Sequence, residues 1–290
     1  MKKKFISKLL VLAMSVSLLS GVSQPALAEA AGSQNATISG TLLAADGTVV
    51  KNQKVVLRER SAKDKSGRYT VTTDKEGKYT ASVPAGVYQV VGFPYAFDSG
   101  KLKGTVNKND VCAVAQVVTA DDGAQIVQDL QVPTPIEVPN GEFDAAFSDK
   151  DWTMTGTIAR QRDGNKDRHS GKGHLNAWDD KGPYQFDVSQ QLANLKKGTY
   201  TIQLSAESGL ADIDEAYIYA KDADGNILAK EELRSTTDYE VFALTVEVTE
   251  EPIIVGIYSS CSVSMWVNAD EFRMGRLPDA PEIYTKAQLK

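Results

Sequence analysis

The chain is poor in the side chains from which metal and catalytic centres are most often built. Among 290 residues there are two histidines and two cysteines. His169 and His174 stand five positions apart in a glycine-rich stretch with no third nitrogen or sulfur ligand nearby, so a zinc centre cannot be assembled from them. No nucleophile elbow or glycine-rich phosphate loop is present either. Paired carboxylates for glycoside hydrolysis stay open, because acids are abundant and their pairing is spatial. The N-terminal apolar run is too short and too interrupted by Ser and Gly to read as a membrane span, and no second apolar run of about 20 residues follows it. Positive charge is also short, with 32 Lys and Arg against 38 Asp and Glu.

What is there begins with an export signal. Met1-Lys-Lys-Lys-Phe-Ile-Ser-Lys8 is a basic start, Leu9 to Val22 supplies an apolar run, and Ala26-Leu27-Ala28 is a small-x-small cleavage site. This predicts a signal peptide over residues 1–28, cleaved after Ala28, and a secreted, extracellular product. Removing it takes away four Lys and no acids, leaving 28 basic against 38 acidic residues and a net charge of −10. Nucleic acid and membrane insertion are therefore not expected. No cysteine follows the signal to accept a lipid, and residues 277–290 read as a flexible tail without a hydrophobic anchor. Attachment to a cell would need a non-covalent partner, such as a secreted enzyme or a surface protein. Cys112 and Cys261 fall in what read as different domains, so a disulfide between them would require the domains to dock closely, and two buried free thiols are the preferred expectation over that pairing.

The body of the chain reads as all-β. Short alternating runs recur at about ten-residue intervals, with glycine turns between them at Asp46-Gly47, Asp74-Lys-Glu-Gly77 and Pro84-Ala-Gly86. Asp46-Gly47 between two alternating runs is a hairpin signal. Val132-Pro-Thr-Pro-Ile-Glu-Val-Pro-Asn140 carries three prolines, which fix φ and withhold ladder donors, so residues 133–139 read as a stiff linker. Two β-sandwich domains are expected, over 36–132 and 140–276.

Within the first, Ile38-Ser-Gly-Thr-Leu42, Asp46-Gly-Thr48, Thr73-Asp-Lys-Glu-Gly-Lys-Tyr79 and Val83-Pro-Ala-Gly-Val-Tyr-Gln-Val90 together resemble the carboxypeptidase regulatory-like domain. That resemblance implies a transthyretin-like sandwich serving as a spacer or docking module. In the second, Asn140-Gly-Glu-Phe-Asp144, His174-Leu-Asn-Ala-Trp-Asp179, Tyr184-Gln-Phe-Asp-Val-Ser-Gln190, Leu195-Lys-Lys-Gly-Thr-Tyr-Thr-Ile202 and Ala216-Tyr-Ile-Tyr-Ala-Lys-Asp222 resemble galactose-binding-like jelly rolls, and most nearly the family 61 carbohydrate-binding modules. This resemblance implies a polysaccharide ligand such as β-1,4-galactan. A galactanase barrel would need about 250 further residues, and no such domain is present.

The residues suited to a sugar are mostly in one stretch, Ser170 to Asp179, which reads with the next two runs as three strands presenting ligand-type side chains. In a strand, side chains alternate, so His174, Asn176 and Trp178 share the face opposite Leu175 and Ala177. An indole stacks on a pyranose while amide and imidazole bond its hydroxyls. Arg160 and Arg162, two apart, offer guanidinium forks. Tyr217 and Tyr219 point opposite Ile218, giving an aromatic face, and Tyr184 and Trp266 are further ligand candidates; Trp152 reads as core. Asp163-Gly-Asn-Lys-Asp167 has an EF-hand's first spacing but lacks its later Gly and Glu. Asp222-Ala-Asp-Gly-Asn226 reads as a hairpin turn. The jelly-roll resemblance implies one structural calcium ion held by Asp144, Asp270 and backbone carbonyl oxygen near Lys172. The expectation is thus a secreted, non-catalytic protein that binds a galactan-like polysaccharide. An adhesion or structural surface protein and a small polysaccharide-degrading enzyme are the alternatives.

Overall fold

The structure, a computed structural model, describes residues 34–279 apart from 63–64, 97–109, 148–150, 157–159, 164–168, 212–213 and 237. The signal segment and the tail from 280 onward lie outside the described residues, as does most of the Asp163–Asp167 loop. The described residues are all strand and turn except for one short 3-10 turn.

The first sandwich is built from β1 (Ala36–Leu43), β2 (Lys54–Glu59), β3 (Arg68–Thr72), β4 (Lys78–Val83), β5 (Gly86–Gly92), β6 (Ala113–Ala120), β7 (Gln125–Val127) and β8 (Leu130–Gln131). One sheet runs β4-β1-β7, with β8 continuing beside β1, and the other runs β3-β2-β5-β6. Alternate residues of the two sheets meet in one core: Ile38 and Leu42 from β1, Tyr79, Ala81 and Val83 from β4, Val55 and Leu57 from β2, Tyr88 and Val90 from β5. Asp46-Gly47 forms its tight turn, with Gly47 at φ 83° and a bridge between Leu43 and Val49, yet it joins no β1–β2 hairpin. β1 pairs with β4 instead, and the chain after Val50 crosses to the other sheet.

The proline segment, expected as a stiff linker, contains a short strand. Val132 is buried in the first core, and β9 (Thr134–Ile136) adds itself to the edge of β19 (Trp266–Arg276) in the second sandwich. That sandwich further contains β10 (Thr153–Gly156), β11 (Arg160–Asp163), β12 (Gly173–Trp178), β13 (Tyr184–Leu192), β14 (Gly198–Gly209), β15 (Glu215–Lys221), β16 (Ile227–Glu232), β17 (Glu240–Val248) and β18 (Ile253–Cys261). One sheet has the order β10-β13-β18-β15-β16 and the other β11-β12-β19-β14-β17. The three consecutive strands β12, β13 and β14 therefore do not share a sheet: β12 and β14 flank β19, and β13 lies across the core. Trp152 sits at the centre of that core, with Phe143 and Phe272 ring centroids 5.2 and 5.1 Å away. Its indole N–H donates to the Asn140 carbonyl at 3.0 Å, which accounts for the Asn-Gly-Glu-Phe opening.

The two sandwiches dock as one compact unit. β17 turns Phe242, Leu244 and Val246 into the jelly-roll core and Val241 and Ala243 against Val56, Val91 and Phe93 of the first sandwich. Around this apolar contact Gln89 donates to the Ala243 carbonyl at 2.7 Å, and Gln116 accepts from the Thr245 amide at 2.7 Å. The buried Glu240 carboxylate takes Arg58 and, at 3.1 Å, Arg68. Cys112 and Cys261 are both buried free thiols, and burial pushes the Cys112 thiol up to about 12. The Asp222–Asn226 segment is a turn, with the Asp222 carboxylate accepting from the Asp224 and Asn226 amides.

Candidate functional site

The outer face of the β12-β19-β14 sheet carries an unusual density of polar side chains. Register sets them in rows: Trp178 opposite Trp266 and then Gly209, Asn176 opposite Asn268 and then Glu207, His174 level with Asp270 and then Ser205. Asn176 donates to Asn268 at 2.7 Å and Asn268 donates to Glu207 at 3.0 Å, so amides and carboxylate form a cross-strand ladder. Asn176 Oδ1 is buried and accepts no hydrogen bond from the described residues. Above the ladder, Trp178 is 44 % exposed and Trp266 is half-buried. A Cβ on Gly209 would stand 2.5 Å from the Trp266 indole nitrogen, so glycine there lets the ring lie flat on the β14 backbone.

Below the ladder, a bulge changes the chemistry. Gln203 faces Arg273 but Ser205 faces Asp270, and Glu271 takes φ 55°, so two successive acids turn toward the same polar face. Asp270 accepts from the His169, Ser170 and Glu271 amides at 3.0, 2.9 and 2.8 Å. Glu271 accepts from Ser205 at 2.9 Å and lies 3.2 Å from His169 Nδ1 and 3.5 Å from Arg273. Burial, with the Glu271 charge beside it, pushes the Asp270 carboxyl well above the usual range. Burial acts the same way on Glu271, but the His169 hydrogen bond and the Arg273 charge outweigh it and hold that carboxyl at about 2.

The predicted site residues separate into groups. His174, Asn176, Trp178 and Trp266 come together, with His174 fully enclosed and Trp178 at the surface. The strand that holds Arg160 and Arg162 pairs with β12, placing Arg160 opposite Asn176 and Arg162 opposite His174. Tyr184 belongs to the other sheet, is buried, and donates to the Met265 carbonyl at 3.0 Å; it is interior. Tyr217 and Tyr219 also lie on the other sheet and do not expose an aromatic face. Lys230 covers the Tyr217 ring and Lys221 the Tyr219 ring, at 4.9 and 3.9 Å from the centroids, and Tyr219 donates to Asp187.

The residues expected around calcium present mainly N–H groups. Gly171, at φ 54°, brings its turn against Asp144, whose carboxylate accepts from the amides of Lys172 and, at 2.8 Å, Gly173. Lys172 thus offers Asp144 a donor where a cation shell wants a carbonyl oxygen, and Asp270 likewise faces three N–H groups. Among the described residues no group of three His, Cys, Asp or Glu is placed to hold a metal ion. The donor set fits a carboxylate-anchored turn and does not fit a calcium shell.

Reasoning from sequence missed Glu207, Asn268 and Glu271. The signal for the first two was the same spacing of two that marked β12: Gln203, Ser205 and Glu207 alternate with Ile202, Leu204 and Ala206, and Trp266, Asn268 and Asp270 with Val267 and Ala269. Glu271 escapes that signal because the bulge breaks the alternation.

Fold and site together define a tandem β-sandwich protein whose second sandwich sets an indole pair over a polar ladder. No protein-family profile matches the chain, and no curated protein matches it. Among solved structures it is similar to a family 61 carbohydrate-binding module in complex with β-1,4-galactotriose, at 19 % identity over 48 % of this chain and 92 % of that one, TM-score 0.39. It is also similar to the CBM22-1 xylan-binding domain of Paenibacillus barcinonensis Xyn10C, at 13 % identity over 48 % and 93 %, TM-score 0.34. A third is the K3 adhesin domain of Lys-gingipain from Porphyromonas gingivalis, at 14 % identity over 46 % and 96 %, TM-score 0.34.

Proposed function

We propose that this is an exported, non-catalytic carbohydrate-binding protein that holds a β-galactan or similar polysaccharide at the β12–β19 edge of its jelly roll. The observation that carries the reading is the exposed Trp178 indole, in register with Trp266, above a buried ladder whose Asn176 carbonyl oxygen has no described partner. A ring surface beside fixed amides is what a pyranose requires: stacking for its C–H face, directed bonds for its hydroxyls. The ladder's groups are already oriented by each other, so little ordering entropy is lost on binding.

The acids of the face support binding more than bond cleavage. Glu207 is bonded to Asn268, and Asp270 and Glu271 are buried and bonded to amides, Ser205 and His169. Affinity electrophoresis on galactan-containing gels tests the reading: the full chain is retarded, Trp178→Ala restores free mobility, and no reducing sugar is released. Unretarded wild-type protein, or product release, would sink it.

A further inference from the structure

We infer that the saccharide track does not end at Trp266 but continues into the cleft between the two sandwiches, so that the N-terminal sandwich forms one wall of the binding site. The inference rests on the carbohydrate reading above and extends it. The cleft, about 260 Å³, is lined from the first sandwich by Arg60 and Ala62 and from the second by Leu210, Asp214, Arg234 and Ser235.

Its position follows from the hydrogen bonds around β14. Trp266 lies on Gly209, and Leu210, the next residue, is already a wall of the cleft. The segment after β16 runs alongside: Thr236 donates to the Ser208 carbonyl at 2.8 Å, Ser208 Oγ donates to the Arg234 carbonyl at 2.8 Å, and Ser235 Oγ donates to the Leu210 carbonyl at 2.8 Å. Arg234 then reaches across to the first sandwich, donating to the Ala62 carbonyl at 2.9 Å and the Glu59 carbonyl at 3.3 Å. Arg60 reaches the other way, to Glu231 at 3.0 Å. Two arginines, one from each sandwich, thereby fix the opposing walls.

The lining suits a sugar unit better than an anion or a purely apolar ligand. Asp214 stays ionised, since the Ala211 and Ser262 bonds outweigh its burial, and so offsets the arginines. The Arg60 side chain is 31 % exposed, while Ala62 and Leu210 supply apolar surface. Fixed donors, a fixed acceptor and small apolar patches match a hydroxylated ring with one C–H face. A chain laid over Trp178 and Trp266 would place its next residues there.

Isothermal titration of the full chain with β-1,4-galacto-oligosaccharides of two and five units tests this. Wild type is expected to bind the longer ligand roughly tenfold more tightly than the shorter. Ala62→Trp and Ala211→Trp fill the cleft from opposite walls, each at a part-exposed position, and are expected to abolish the advantage of length while leaving the short ligand within about twofold. Trp178→Ala weakens both lengths alike. Both filling variants keeping the length advantage, or wild type showing none, overturns the inference and leaves the carbohydrate reading standing. Wild type binding neither length overturns both, and melting curves of each variant show that the fold survives.

Discussion

Glu271 shows how much one side chain can owe to its neighbours. It sits on a left-handed backbone within the bulge, buried, yet ionised, because His169, Arg273 and Ser205 converge on it. A carboxyl held at about 2 instead of its ordinary 4.5 contributes stability that is present above the ordinary value and is lost as pH falls toward the folded one. Glu271→Gln is therefore expected to cost on the order of 3 kcal/mol at pH 6 and much less near pH 2.5. Urea unfolding at the two pH values reads this. At the same scale, sequence made His174, Asn176 and Trp178 legible as one face because strand alternation is a local rule. It could not show that His174 is enclosed while Trp178 is open, since that depends on what packs over the strand, nor that Tyr217 and Tyr219 lie beneath lysines.

At the scale of elements, the pattern of alternation announces strands and faces but not partners. Asp46-Gly47 makes a turn of the kind its dipeptide dictates, and still β1 pairs with β4, because burying Ile38 against Val55 and Tyr88 needs the chain to change sheets. Likewise the sequence pattern groups β13 with β12 and β14, although Phe186 and Val188 serve the opposite wall of the core. The Asn140–Trp152 opening is where sequence and structure agree most closely. Trp152→Ala removes a ring enclosed by Phe143 and Phe272 and is expected to destabilise the chain by about 3–5 kcal/mol, measured as a shift of the denaturation midpoint. The turn at Gly171–Gly173 is held by the Asp144 carboxylate through N–H bonds, so chelation with EDTA is expected to leave both the melting temperature and galactan retention unchanged. A fall in either would restore the calcium site.

Across the whole molecule, the proline segment does more than space two domains. Pro135 lies within β9, opposite Gly275 of β19, where a missing N–H costs nothing if that side of the strand faces away from the ladder, while Pro133 and Pro139 flank the strand. With Val132 in one core and Ile136 packed on the other, little slack remains, and β17 is shared between its own core and the first sandwich. Heating should unfold both sandwiches in one cooperative transition. Glu240→Gln leaves Arg58 buried without its counter-charge, which is expected to cost about 3–5 kcal/mol and to separate the calorimetric peak into two. No sequence signal disclosed this docking, since Arg58 and Glu240 are 182 positions apart.

The central claim is that the indole of Trp178, beside that of Trp266, receives a sugar ring. Titration of the full chain with galactan oligosaccharide before and after Trp178→Ala tests it most directly. The account predicts saturable binding by the wild type, weakened about ten- to a hundredfold by the substitution with no change in melting temperature. Equal affinity in the two proteins would contradict it.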